Sequence, residues 1–109
     1  LKRYCLTLDL KDDPELIMEY ERYHKNVWPQ IIESIRSSGI LSMEIYRWGN
    51  RLFMVMETVP HFSFEEKGKA DAANPIVLEW ENLMSKYQQA LPGNLEGEKW
   101  QLMTRIFKS

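Results

Sequence analysis

A tyrosine, a histidine and a proline set the chemistry that this chain can attempt. In residues 20–31, read as Tyr-Glu-Arg-Tyr-His-Lys-Asn-Val-Trp-Pro-Gln-Ile, Tyr20 and His24 stand four residues apart. On a helix that spacing puts both side chains on one face, where a phenol and an imidazole can converge on a small ligand. Pro29 has no backbone N–H and crowds the carbonyl four residues back, so the helix must open around Lys25 and Asn26. Proline also suits the first position of a new helical segment. His24 therefore stands beside a break where a pocket can form, and its unperturbed pKa suits proton transfer near neutral pH. A histidine on an apolar helix face is more often a packing residue than a catalyst. The neighbouring phenol and the nearby break favour chemistry here.

Other residues with chemical potential are fewer. Trp28 and Trp80 lie on the apolar stripes of two helical segments, where core packing is the default. Aromatic faces also stack on the C–H patches of sugars, and a pocket pairs such surfaces with a few polar groups. Trp80-Glu81 offers one of each, although a helix carboxylate is by default solvated. Tyr23 is rotated away from the histidine face. His61 sits in a loop without an evident partner, and the charges of residues 63–69 read as a solvated first helical turn. The sequence holds no glycine-rich phosphate loop, no nucleophile elbow, and no His or carboxylate set at metal spacing. No metal and no cofactor is expected.

The bulk properties narrow the partners. A chain of 109 residues makes one domain, 1–109, with a modest core. Its 44% hydrophobic and 28% charged residues are ordinary for a globular protein. A net charge of −2 with interspersed signs gives no footprint for nucleic acid, and no apolar run is long enough for a bilayer. Neither nucleic acid nor membrane is expected as a partner. Cys5 is the single cysteine, so no internal disulfide can form. With no signal-type leader among the first residues, a cytoplasmic location is expected.

Several elements must position these groups. Residues 1–10 alternate Tyr4, Leu6, Leu8 and Leu10 with Arg3, Cys5, Thr7 and Asp9, the period of a half-buried strand. Asp12-Asp13-Pro14-Glu15 begins a helix whose apolar positions run to Ile35 through the proline break, and Ser37-Ser38-Gly39 ends it. Strands at 40–48 and 51–59 flank Gly49-Asn50, a hairpin signal. A second helical region spans 63–90 with an interruption at Asn74-Pro75, and Leu91-Pro92-Gly93-Asn94 stops it. A last strand covers 100–107. The order β-α-β-β-α-β predicts an α+β, ferredoxin-like fold: a four-stranded antiparallel sheet with two helices on one face. The other face, occupied by Tyr4, Leu6 and Leu8 or their alternates, predicts a homodimer joined sheet to sheet.

With these elements in place the chain resembles the L-rhamnose mutarotase family, dimeric α/β barrels that interconvert the anomers of 6-deoxy sugars. The resemblance covers nearly the whole length. It rests on Tyr20-x-x-x-His24-x-x-Val27-Trp28-Pro29, on Gly39, on Ile45-Tyr46, on Leu52-Phe53 through Glu57, and on Trp80 with Met84. It implies that His24 is the proton donor, that Tyr20 binds the sugar and that Trp80 lines the pocket. Two positions depart: the family's strand tyrosine is Met43 here, and its second tryptophan is Glu81. Both bear on which hydroxyl pattern the pocket prefers. The implied ligand is a monosaccharide, with L-rhamnose the default and L-fucose the alternative. Mutarotation opens a hemiacetal and recloses it, which needs acid–base groups only. The second proton carrier is open among Glu81, Glu57 and water. A cofactor-independent monooxygenase and a non-catalytic ligand-binding dimer are the rival readings of the fold.

Overall fold

The computed structural model describes residues 1–95 and 99–109. Strand β1 (Lys2–Leu10) is followed by helices α1 (Pro14–Lys25) and α2 (Pro29–Ser37), then by strands β2 (Ile40–Trp48) and β3 (Arg51–Thr58). Helices α3 (Phe64–Ala72) and α4 (Pro75–Ser85) come next, and the short strands β4 (Gln88–Gln89) and β5 (Gln101–Leu102) complete the order. All ladders are antiparallel, in the order β2-β3-β1-β4. β5 also pairs with β1, opposite Leu6 and Thr7, while β4 lies opposite Asp9 and Leu10. The fourth place in the sheet is thus shared by two short segments. The α+β arrangement is the one expected, with each expected helix divided in two. No helix among the described residues is long and apolar enough to cross a membrane.

The divisions fall where local chemistry requires them. The Asp13 carboxylate accepts the N–H groups of Glu15 and Leu16, capping α1, and Pro14 occupies its first turn. Trp28, which precedes Pro29, is held at ψ 134, outside the helical region as a pre-proline residue should be. Asn74 does for α4 what Asp13 does for α1, its side-chain oxygen accepting from Ile76 and Val77 ahead of the next turn. Gly39 turns the chain from α2 into β2 at φ +95, and a Cβ there would stand 2.8 Å from Val59 Cγ2. Only glycine meets both constraints without strain.

Leu6, Leu8 and Leu10 of β1 and Leu52, Met54 and Met56 of β3 are buried beneath the helices. Val77, Trp80 and Met84 of α4 and Tyr20 and Ile31 of α1 and α2 pack with Leu10 and Leu52, while Leu6, Met54 and Met56 form a second cluster with Ile40 and Phe62. Burying each such large side chain contributes about 1.5–3 kcal/mol. β2 carries a bulge between Ile40 and Ser42. It changes the parity of the strand: Ile40 faces the core, Leu41 is exposed, and the inward positions beyond are Met43 and Ile45, opposite Met56 and Met54.

Three expectations are corrected. The second helical region ends at Ser85, not near 90, because Lys86 and Tyr87 form a turn and Gln88 already pairs with Leu10. The last strand is confined to Gln101–Leu102; after Met103 N–H donates to the Cys5 carbonyl at 2.8 Å, the chain leaves the ladder. Of the two sets left open for it, the uncovered face holds the alternates Arg3, Cys5, Thr7 and Asp9, since Tyr4, Leu6 and Leu8 lie on the helix side, and it is more polar than expected. It carries the ion pairs Arg3–Glu57 and Arg51–Asp9, with Tyr46, Trp48 and Phe53 exposed among them.

Candidate functional site

Helices α1 to α4 and the sheet line an open cavity of about 740 Å³. Tyr20 and His24 of α1, Met43 of β2, and Trp80 and Glu81 of α4 all line it. The five residues singled out in sequence come from three elements and meet at one place. What each contributes differs.

His24 occupies the last turn of α1. Its ring lies 4.4 Å from the Tyr20 ring, centroid to centroid, at 34°. Nδ1 stands 2.8 Å from the Tyr20 backbone carbonyl. A carbonyl oxygen can only accept, so Nδ1 carries the hydrogen and Nε2 of the neutral ring holds an unshared pair. Burial lowers the His24 pKa, and the bond to the Tyr20 carbonyl opposes this only in part. The resting imidazole is neutral near pH 7: a hydrogen acceptor at Nε2. Tyr20 is buried, and burial raises its pKa, with Gln88 partly offsetting the rise. The phenol remains protonated across the physiological range.

Trp80 forms the wall beside the imidazole. Its ring takes near-perpendicular contacts from His24 at 5.7 Å, Trp28 at 5.1 Å and Tyr23 at 6.3 Å. Those contacts fix the indole plane, which is the value of an edge-to-face cluster. Tyr23 is a packing residue, as its position on the helix predicts. Glu81 is exposed and stands at the rim, its backbone carbonyl accepting from Lys99 Nζ at 3.2 Å. Met43 is half-buried and reaches the cavity because of the bulge in β2. Glu57 pairs with Arg3 on the opposite face of the sheet, so it has no part in this site. His61 is exposed and distant in the β3–α3 loop.

Sequence reasoning missed part of the lining. Lys67 is not merely a solvated charge: its Nζ donates to both Asp71 oxygens at 3.0 and 2.9 Å, and the pair lies at the cavity with Ser34 Oγ 3.4 Å from Asp71. The Lys-x-x-x-Asp spacing was the available signal. Gln88, on β4, places its Nε2 3.5 Å from the Tyr20 hydroxyl oxygen. No local pattern marks that residue, because its position depends on a ladder with β1.

Comparison with known proteins supplies the remaining observation. A family model described as L-rhamnose mutarotase matches residues 3–109. A protein of Xanthomonas campestris named L-fucose mutarotase is 43% identical, over 98% of this chain and 87% of its own. A protein of Phocaeicola vulgatus named L-rhamnose mutarotase is 31% identical over 86% of each chain. Among solved structures, an L-rhamnose mutarotase from Formosa agariphila superposes with a TM-score of 0.74, covering 100% of this chain and 99% of that one, at 18% identity. That likeness bears on the fold alone.

Proposed function

The chain belongs to the L-rhamnose mutarotase family, and from that premise we propose that it interconverts the anomers of a 6-deoxy-L-hexose at the His24 cavity. It is a sugar mutarotase, an isomerase that opens and recloses a hemiacetal. The observation that carries the assignment to this cavity is the neutral imidazole of His24, hydrogen-bonded at Nδ1 and without a partner at Nε2 among the described residues, beside a buried phenol.

The chemistry follows from those two protonation states. Nε2 takes the proton of the anomeric hydroxyl as the bond between the anomeric carbon and the ring oxygen breaks. The anomeric oxygen becomes the carbonyl oxygen of the open sugar. The imidazolium so formed then delivers its proton to the former ring oxygen, which becomes a hydroxyl. Rotation about one bond and the reverse steps give the other anomer. His24 acts as the proton donor the family resemblance implies, but only after it has accepted a proton. The raised pKa of Tyr20 opposes full transfer from the phenol, so Tyr20 serves as a hydrogen-bond donor to a sugar oxygen. Trp80 presents an apolar wall to the sugar's C–H face, while Met43 and Glu81 meet its variable hydroxyls.

Both L-rhamnose and L-fucose fit this reading. The higher identity to the relative named L-fucose mutarotase makes L-fucose the sugar to test first. Saturation-transfer NMR of anomer exchange on L-rhamnose, L-fucose and their D counterparts decides the matter. Acceleration of one or both L sugars is expected, and exchange at the spontaneous rate for all four would refute the proposal.

The same reading includes a homodimer and a cytoplasmic setting. The open sheet face exposes Tyr46, Trp48 and Phe53, and beyond β5 the chain exposes Ile106 and Phe107 at 95% and 79%. Large apolar groups so placed support a second copy of the chain as their cover. Sedimentation equilibrium at micromolar concentration should give twice the chain mass; a clean monomer would count against the dimer. The compartment rests on Cys5 as the single cysteine.

A further inference from the structure

Gln88 carries a feature that the reaction as described does not use. β4 fixes its backbone opposite Leu10, and the neighbouring Tyr87 carbonyl accepts the Lys11 N–H at 2.8 Å. The side chain reaches the cavity, where its Nε2 lies 3.5 Å from the Tyr20 hydroxyl oxygen. Among the described residues this is the one hydrogen-bonding neighbour of that hydroxyl. At the other end of the amide, Oε1 is shut away from solvent without a hydrogen-bond partner among the described residues. Turning the amide over would strand an NH₂ group with two hydrogens in place of one oxygen, the costlier arrangement. The amide hydrogen therefore faces the phenol.

A methionine of similar length would fill this position with no unsatisfied atom. An amide that is poorly paired in the empty protein, next to the phenol of the site, calls for a role in handling the ligand. We infer that Gln88 is a positioning residue for Tyr20: its N–H occupies the phenol oxygen as an acceptor and so turns the phenol hydrogen into the cavity, toward a sugar oxygen. The contact is long in the empty site. A sugar oxygen that accepts from Tyr20 polarises the phenol and strengthens the bond from Gln88, as in any hydrogen-bonded chain. This rests on the reading of Tyr20 and His24 as the groups that handle the sugar, and goes beyond it by assigning the direction of the Tyr20 bond.

A double-variant cycle tests the assignment, using Gln88→Met, Tyr20→Phe, their combination and Gln88→Glu, with anomer exchange measured by NMR and folding by thermal melts. Gln88→Met should melt no lower than wild type yet exchange about tenfold more slowly, the effect of one hydrogen bond. In the Tyr20→Phe background the same substitution should have no further effect. Gln88→Glu reverses the bond while its carboxyl is ionised, because a carboxylate can only accept and would draw the phenol hydrogen away from the sugar. Its rate relative to wild type should climb as pH falls and the carboxyl becomes a donor again. A packing role would give a ratio independent of pH and equal losses in both backgrounds, and either result overturns the inference. Slow Tyr20→Phe with full-speed Gln88→Met overturns it alone. Full-speed Tyr20→Phe removes the site reading beneath it and takes the inference with it.

Discussion

His24→Gln is the most informative single change. Glutamine keeps an uncharged polar group near the imidazole position and loses the titratable base. A positioned general acid–base group contributes about 10²–10⁴-fold, which corresponds to roughly 2.7–5.5 kcal/mol of barrier. The loss should fall in this range on the sugar the protein accelerates best. Stability should change little by comparison. The bond from Nδ1 to the Tyr20 carbonyl is one hydrogen bond at a half-buried position, worth about 1 kcal/mol. The assay is saturation transfer between the α and β anomeric protons, with the spontaneous exchange subtracted.

The pH profile separates the two roles a histidine can start from. An ordinary imidazole with a pKa of about 6.5 is roughly three-quarters neutral at pH 7. His24 is lowered from that value, first by burial, so the neutral fraction is higher still. If the cycle begins with Nε2 as an acceptor, wild-type exchange at low sugar concentration should be flat above pH 7 and fall on acidification, with a midpoint below 6.5. If His24 must begin as imidazolium, the rate should instead decline as pH rises through 6 to 7. That second profile, or a His24→Gln variant within a few-fold of wild type, would refute the reasoning.

Other consequences are independent of that assay. Because the folded pKa of His24 is depressed, the unfolded chain binds the proton more readily. Its contribution to stability is fully present above pH 6.5 and is lost as pH falls from there toward the lowered value; wild-type melts should show an acid-side fall that His24→Gln lacks. Gly39→Ala should cost about 1–3 kcal/mol in urea denaturation, since φ +95 and the 2.8 Å approach to Val59 Cγ2 both act against a Cβ; a wild-type midpoint would mean that the turn relaxes freely. Replacing Met43 by tyrosine and Glu81 by tryptophan should shift the L-rhamnose to L-fucose rate ratio by one to two orders of magnitude, the effect of about 1–3 kcal/mol at a buried hydrogen bond. An unchanged ratio would return both positions to packing and solvent.

Local signals served well wherever a backbone constraint is local. Asp13 with Pro14, Pro29 after Trp28, Asn74 with Pro75 and Gly49-Asn50 each act within a few residues, and each falls where the sequence places it. Periodicity reports burial rather than element type, and there it misleads. Tyr87 continues the apolar stripe of α4 and is buried in the same core, but it reaches that core from a turn. Residues 103–107 alternate like a strand, yet a ladder needs a partner, and β1 offers them none beyond Met103. The cavity was legible on part of its helical side and, through the family resemblance, at Met43. Tyr20 and His24 are four residues apart, whereas Gln88 and Tyr20 are sixty-eight apart and joined by a strand pairing.

The bulge in β2 shows how the non-local part bears on function. Strict alternation from the buried Ile40 would turn Ser42, Glu44 and Tyr46 toward the helices and Met43 outward. One extra residue at Leu41 reverses this, delivering Met43 and Ile45 to the cavity and Tyr46 to the open face. Both surfaces are set by the same irregularity: the floor of the proposed sugar site and the aromatic patch proposed to meet a second chain. Were Leu41 instead drawn into the ladder and the bulge lost, pocket and open face would change together. The carboxylate of Glu44, which now accepts from the Tyr46 hydroxyl in solvent, would be driven against Val55's neighbours under the helices without a partner. The proposed pocket and the proposed interface are for this reason coupled through one strand, and Ser42, beside the bulge on the open-face parity, itself reaches the cavity rim.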